Sequence, residues 1–407
     1  MPRWLLPEGM ADVLPAEARR IENLRRRLLD LFQRYGYELV IPPMIEHLDA
    51  LVVGAGRDLA RRMFQTVDQM SGRTLAVRAD MTPQVARIDA HLLNRSHVVR
   101  LCYAGSVLHT REQSLLRSRE PFQIGCEIFG HAGLEADLEI MDLMVRAIAL
   151  ADERPLRLDL CPVGVVAALL DRYRLAADRQ ERVHDLMLAK NRPELQAYLG
   201  QENAKLAETL CAVTLLYSDL QRTGGVFNAE ALLERAGSVL CEVPALHPVL
   251  DSLRRIAASR LWEEHPQVRL SVDFADMRGW QYHTGLTFSA YLDGLPLAIA
   301  RGGRYDNVGA IFGRSRSATG FSLELRELAA QIPESPLPGA IRAPWSDDRG
   351  LRDAIARFRA RGEIVVQVMP GHEDEQGEFT CDRELLFRGG SWECVWRDAS
   401  KPSCASS

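Results

Sequence analysis

After "LPAEARR", apolar residues recur at three- and four-residue steps (Ile21, Leu24, Leu28, Leu31, Tyr35) with arginines between them. That spacing predicts an amphipathic helix with a basic outer face. Gly36 closes it, and "YELVIPP" reads as a strand stopped by Pro42 and Pro43. "MFQTVDQM", the turn "SGR" and "TLAVRAD" predict a hairpin. Thr82 before Pro83 predicts a helix entry, with the hydroxyl as N-cap and the proline at the first helical position, where its missing N–H costs nothing. Val85, Ile88 and Leu92 would be its inward stripe. Two strands follow, in "VVRLCYAGSVL" and "PFQIGCEIFG", joined by an arginine-rich loop. A helix is expected from about Leu134 to Ala151 and a strand at "LRLDL".

From about 164 to 264 the period turns helical, which suggests a helical insertion between halves of one sheet. Strands resume with "VRLSVDFADM", "LTFSAYL" and "LPLAIA". Hairpins without alternating helices predict an antiparallel sheet flanked by helices, hence an α+β fold. The prolines of "IPESPLPGAIRAP" mark a linker, placed at 331–344. The expected organisation is a core at 1–330 and a small C-terminal α/β unit at 345–407 ending in a tail.

Bulk numbers add mainly exclusions. With 407 residues, 47% hydrophobic, 26% charged and a net charge of -5, the chain is an ordinary globular protein. It has no bulk electrostatic footprint for nucleic acid or an anionic membrane. The start has one basic residue and too short an apolar run for a secretory segment, and no run approaches the roughly 18 residues of a membrane span. The eight cysteines are scattered without metal-ligand spacing, so reduced thiols, a cytoplasmic location, no metal and no cofactor are expected.

Three stretches carry candidate chemistry. In "RADMTPQ", Asp80 sits at a helix mouth, where it could hold a ligand or simply cap the helix. In "PFQIGCEIFG", two-residue alternation puts Gln123, Gly125 and Glu127 on one face. That face either meets solvent or needs partners for its polar groups. "ARGGRYDNVG" is a turn whose glycines permit close approach of a ligand.

Taken in order, these stretches resemble one family, the class II histidyl-tRNA synthetases, from Met1 to about Leu328. "EGMADVLP" is similar to the family's N-terminal signature, "PFQIGCEIFG" to its second-motif strand and "MRGWQYHTGLTF" to its histidine-specific segment. "GGRYDNVG" and "GFSLELREL" resemble the region around its third motif. The resemblance implies a six- or seven-stranded antiparallel sheet and a dimer formed through "YELVIPPMIE". It also implies a histidine site in which Asp80, Thr82, Gln123 and Glu127 surround the ammonium. Arg278 would meet the carboxylate, and Tyr305 and Tyr282 would lie by the imidazole.

Departures from the family pattern bear on function. His109 stands where the family has the arginine that meets the α-phosphate, and Arg111 where a glutamate helps hold adenine. The third-motif "GLER" reads Glu324-Leu325-Arg326-Glu327, with acids at the nucleotide's approach. Arg117 and Arg119 remain in the loop without restoring that geometry, and His283 and Gln281 replace a tyrosine and an aspartate of the histidine-specific segment. The C-terminal unit lacks the elements of an anticodon-binding domain.

This combination resembles the synthetase-like regulatory subunits of ATP phosphoribosyltransferase. It implies a chain with no catalytic residue of its own and with aminoacylation lost. Such a chain partners the short-form catalytic subunit in a hetero-oligomer and binds free L-histidine as feedback effector, with no nucleic acid and no membrane. A divergent histidyl-tRNA synthetase and a histidine-sensing scaffold for another partner are the alternatives.

Overall fold

The apolar stripe of the first helix closes onto a large sheet. In the computed structural model, α1 (Pro15–Arg34) buries Ile21, Leu24, Leu28 and Phe32, and Phe32 meets the edge of Phe321 at 6.1 Å. The structure describes residues 5–52, 62–111, 118–243, 246–279, 282–306, 308–334, 339–373 and 379–397. Contacts divide the chain into one unit at 1–332 and another at 333–407.

In chain order the first unit continues with β1 (Glu38–Leu39), β2 (Ile45–His47), α2 (Leu48–Leu51), β3 (Gln65–Val67), β4 (Thr74–Val77) and α3 (Thr82–Arg87). β5 (Val99–Ser106), β6 (Phe122–Phe129), α4 (Leu134–Ala149) and β7 (Leu156–Pro162) follow. The insertion carries α5 (Gly164–Arg172), α6 (Ala177–Leu188), α7 (Arg192–Leu199) and α8 (Ala204–Val213). It also holds β8 (Tyr217–Asp219), β9 (Gln221–Thr223), β10 (Val226–Asn228), α9 (Glu230–Val239) and α10 (His247–Ala257). β11 (Val268–Asp273), β12 (Leu286–Leu292), β13 (Ala300–Arg304), β14 (Ala318–Glu324) and α11 (Leu325–Ala329) complete the unit.

The main sheet runs β1-β5-β6-β14-β13-β12-β7-β11-β8, with nine strands where the resemblance implied six or seven. It is not purely antiparallel, because β1 pairs with β5, and β11 with β7, in parallel. Parallel neighbours need a long crossover, and the helical insertion between β7 and β11 supplies one. The insertion also contributes β8 to the sheet edge. Of the strand-like "LPLAIA", only Ala300 belongs to the strand, although Ile299 N already donates to the Ala290 carbonyl at 2.8 Å. The predicted hairpin is present as β3 and β4, joined by β2 into a separate three-stranded sheet.

Two local expectations fail for physical reasons. Thr82 is the first helical residue rather than the cap, and its N–H donates to Asp80 Oδ1 at 3.0 Å. Leu92 is 63% exposed, because α3 widens at Ile88–Leu93 into a π-helical turn whose larger residue count rotates the inward stripe away.

The second unit holds β15 (Ala340–Ala343), α12 (Arg349–Ala360), β16 (Val365–Gln367), β17 (Cys381–Arg388) and β18 (Ser391–Trp396). Its sheet, ordered β16-β15-β17-β18, and its helix share a core of Ile341, Ala343, Leu351, Ala354, Ile355, Val365 and Leu385. Asp348 Oδ1 caps the helix through Leu351 N at 2.7 Å. Among the described residues no helix is long and apolar enough to cross a membrane, and no cluster of three metal-binding side chains forms.

Candidate functional site

The middle of the main sheet is paved with small residues. Cross-strand register aligns Glu127 with Gly320 and Gly303, and Gly125 with Ser322 and Arg301. A third row pairs Gln123 with Glu324. Above this floor lies a cavity of about 520 Å³ whose walls include Asp80, Thr82, His109, Tyr282, His283, Tyr305 and Glu327. The missing side chains are a steric requirement. A methyl group at Gly320 would overlap the Glu127 carboxylate, and one at Gly125 would meet the Tyr103 hydroxyl at 2.6 Å.

At one end of the cavity stands Glu127, 1% exposed. Its oxygens accept from the Tyr103 hydroxyl at 3.1 Å and the Tyr305 hydroxyl at 2.6 Å. Burial pushes the carboxyl up to about 8, against the stabilising hydroxyls of Tyr305, Thr82 and Tyr103, and the charge of Asp80 adds to the rise. The Tyr282 ring stacks on Tyr305 at 5.0 Å, and its buried hydroxyl has no protein partner. His283 meets the Tyr282 edge at 5.1 Å with Nδ1 3.2 Å from the Gly279 carbonyl, and desolvation pushes its imidazole down to about 4. At the mouth, Asp80 Oδ1 accepts from Gln123 Nε2 at 3.0 Å, and Gln123 Oε1 accepts from Met81 N at 2.9 Å. Two carboxylates and a ring of hydroxyls suit a small ligand with cationic and polar donor groups.

The opposite end is filled from within. Glu324 accepts from Phe122 N at 2.6 Å, Glu327 N at 2.8 Å and Arg326 N at 3.4 Å. An internal carboxylate thus takes N–H groups that an incoming anion would need. Burial raises this carboxyl from its usual range, opposed by the backbone donors. His109 is buried with Nε2 2.9 Å from the Ala79 carbonyl, and Arg119 is tied to the backbone oxygens of His109 (3.1 Å) and Glu8 (3.1 Å). Arg111 is exposed and outside the cavity lining. Arg117 and Gln281 lie outside the described residues.

Residues 9–328 match the family described as Histidyl-tRNA synthetase, and residues 338–395 match the ATP phosphoribosyltransferase subunit HisZ C-terminal domain. The ATP phosphoribosyltransferase regulatory subunit of Ralstonia nicotianae is 52% identical over 400 residues, covering 98% of this chain and 100% of the relative. That of Burkholderia ambifaria is 52% identical over 392 residues, covering 96% and 99%. The chain belongs to the family of ATP phosphoribosyltransferase regulatory subunits. Solved structures agree on the fold. A protein from Bacillus halodurans, described as an ATP phosphoribosyltransferase regulatory subunit/histidyl-tRNA synthetase, superposes with a TM-score of 0.75 at 24% identity, over 90% of this chain and 92% of that one. Histidyl-tRNA synthetase from Nostoc sp. PCC 7120 gives 0.72 at 16% identity over 97% of each chain.

In this regulatory-subunit family member, six of the seven residues singled out for histidine line one cavity: Asp80, Thr82, Gln123, Glu127, Tyr282 and Tyr305. Arg278 is held elsewhere. Its guanidinium grips the Asp276 carboxylate at 2.5–3.0 Å and does not line the cavity. The acid two residues before it was the available sequence signal. Tyr103 was missed altogether, although it links Thr82 Oγ1 (3.2 Å) to Glu127. Its signal was a buried tyrosine facing a glycine across the hairpin, and that requires the register of β5 on β6.

Proposed function

We propose that the chain is a non-catalytic regulatory subunit that binds free L-histidine in the Glu127 cavity and conveys feedback to a short-form ATP phosphoribosyltransferase catalytic subunit. Phosphoribosyl transfer from PRPP to ATP then takes place on the partner chain, in the cytoplasm. The observation that carries this reading is the pairing of an acceptor cluster built on the buried Glu127 with a nucleotide end occupied by Glu324. Asp80, Thr82, Gln123 and Glu127 receive the ligand ammonium, while Tyr282 and Tyr305 flank its imidazole. Amino-acid activation needs fixed positive charge where negative charge develops on the α-phosphate. A histidine turned to the Ala79 carbonyl and a carboxylate at Glu324 do not supply it. Aminoacylation is therefore absent.

Self-association through 37–46 is supported by the exposure of Leu39 (49%), Ile41 (81%), Met44 (42%) and Ile45 (47%). Feedback works by linkage, with histidine favouring one state of the hetero-oligomer by a coupling on the order of 1–3 kcal/mol. Co-expression with a short catalytic subunit tests the reading. A stable complex with histidine-inhibited activity is expected, and absence of any complex would refute it. Histidine-dependent pyrophosphate exchange into ATP by this chain alone would favour the divergent-synthetase alternative.

A further inference from the structure

A free amino acid carries an ammonium and a carboxylate, and the acceptor cluster accounts only for the first. The arginine expected for the second is locked. Arg278 is bound to Asp276, whose carboxyl is raised by burial but held below the usual range overall by Arg278, with a smaller contribution from the charge of Arg301. The side chain of Arg278 contacts Tyr291 of β12, and the residue is absent from the cavity lining.

Arg301 does line that cavity. It stands in register with Ser322 and Gly125, on the sheet face that carries Glu127. Glu127 and Arg301 are separated by the single strand β14 and by two residues along the ladder. Spacings of about 4.8 Å between strands and about 3.4 Å along them put their Cα atoms roughly 12 Å apart. Glutamate and arginine side chains are long enough to shorten that span to the few ångströms between the two charged groups of an α-amino acid, and Arg301 lines the cavity while remaining exposed. Between them the floor is Gly125, Gly320 and Ser322, so nothing bulky fills the trough. An acid at one end, an arginine at the other and a glycine-paved gap is a complement to a zwitterion. A guanidinium offers a carboxylate two parallel N–H donors, the pairing it suits best.

Of the other arginines in the cavity wall, Arg326 extends from α11 beyond Glu324 and donates to the Glu120 carbonyl at 3.4 Å. Arg62 comes from outside the main sheet, beside the loop that follows β5, where its carbonyl accepts from Thr110 N at 2.8 Å. Neither shares the floor row that faces Glu127.

We propose that Arg301, and not Arg278, binds the ligand carboxylate, making the floor across β14 from Glu127 the part that selects a free amino acid. This rests on the histidine reading of the site.

Calorimetric titration with histidine and with histidinol, which lacks the carboxylate, separates the two questions. The wild-type protein is expected to prefer histidine by about ten- to hundred-fold, the worth of a charge-assisted hydrogen-bonded pair. Arg301→Ala should erase that preference while leaving histidinol affinity within about threefold, and Arg278→Ala should keep it. Arg301→Lys, which retains charge without the fork, should keep the preference but weaken it, and serves if the alanine variant does not fold. An unchanged histidine-to-histidinol ratio in Arg301→Ala, or a lost one in Arg278→Ala, would overturn the assignment while leaving the pocket intact. Wild-type protein that binds neither compound would overturn the histidine reading and this inference with it.

Discussion

The two ends of the cavity share one sheet and have opposite histories of charge. At the Glu127 end, two tyrosine hydroxyls steady a buried carboxylate and a third, that of Tyr282, has no protein partner. At the Glu324 end, the groups that could receive an anion already hold a carboxylate of the chain itself. Binding and reaction can therefore be separated by side chains alone, because the backbone floor of Gly125, Gly303 and Gly320 serves both ends equally.

Changes at the Glu127 end should have the largest effects on ligand binding. Glu127→Ala is expected to weaken histidine at least about 100-fold in calorimetry, since the buried acceptor for the ligand goes and the Tyr103 and Tyr305 hydroxyls lose the group they donate to. An affinity within about threefold of wild type would place the ligand elsewhere. Gly320→Ala should be nearly as damaging, because its methyl group displaces the Glu127 carboxylate. A loss of about 1–3 kcal/mol in denaturant unfolding should accompany the binding defect.

The same carboxyl should leave a mark on stability. Its native pKa of about 8 lies above the ordinary glutamate value of about 4.5, so the folded state holds a proton that the unfolded state has released between those limits. Its stabilising contribution is complete below about 4.5 and is lost as pH rises through about 8, at up to roughly 1.4 kcal/mol per pH unit. Glu127→Gln should remove that slope, so the gap between variant and wild-type melting temperatures should move in the variant's favour from pH 6 to 8.5. A pH-independent gap would show that Glu127 is ionised in the empty pocket.

The other end should answer in stability and not in histidine affinity. Glu324→Ala strands three N–H groups and should cost about 1–3 kcal/mol in denaturant unfolding, with histidine affinity changed less than about threefold. The smallest effect belongs to Arg278→Ala, whose own side chain is half exposed though Asp276 is not, at about 1 kcal/mol of stability. A large loss there would restore Arg278 to the binding site.

Much of this was legible in the sequence, and the illegible parts share a cause. The three- and four-residue period that drew α1, and the alternation that put Gln123 and Glu127 on one face, are local patterns that packing did not overrule. Leu92 escaped because one π-turn shifts the phase of an otherwise correct helix. The parallel pairs at β1 and β11 depend on which strands meet across long stretches of chain, the helical insertion in the case of β7 and β11, which no local period records. Tyr103 reaches Glu127, and Arg301 the cavity wall, only through cross-strand register, whereas the pairing of Arg278 was readable in the acid two positions earlier. Substitution of Glu327 and Glu324 for the family's nucleotide-side residues was visible, but not that Glu324 would turn inward to cap its own helix.

The separation of binding from reaction is tested most directly by one calorimetric titration of histidine into the protein alone, with and without ATP and magnesium. The expected result is a saturable isotherm whose affinity is the same, within about threefold, in both conditions. Heat that requires ATP, or an affinity that rises tenfold or more when ATP is present, would mean that the nucleotide end still works.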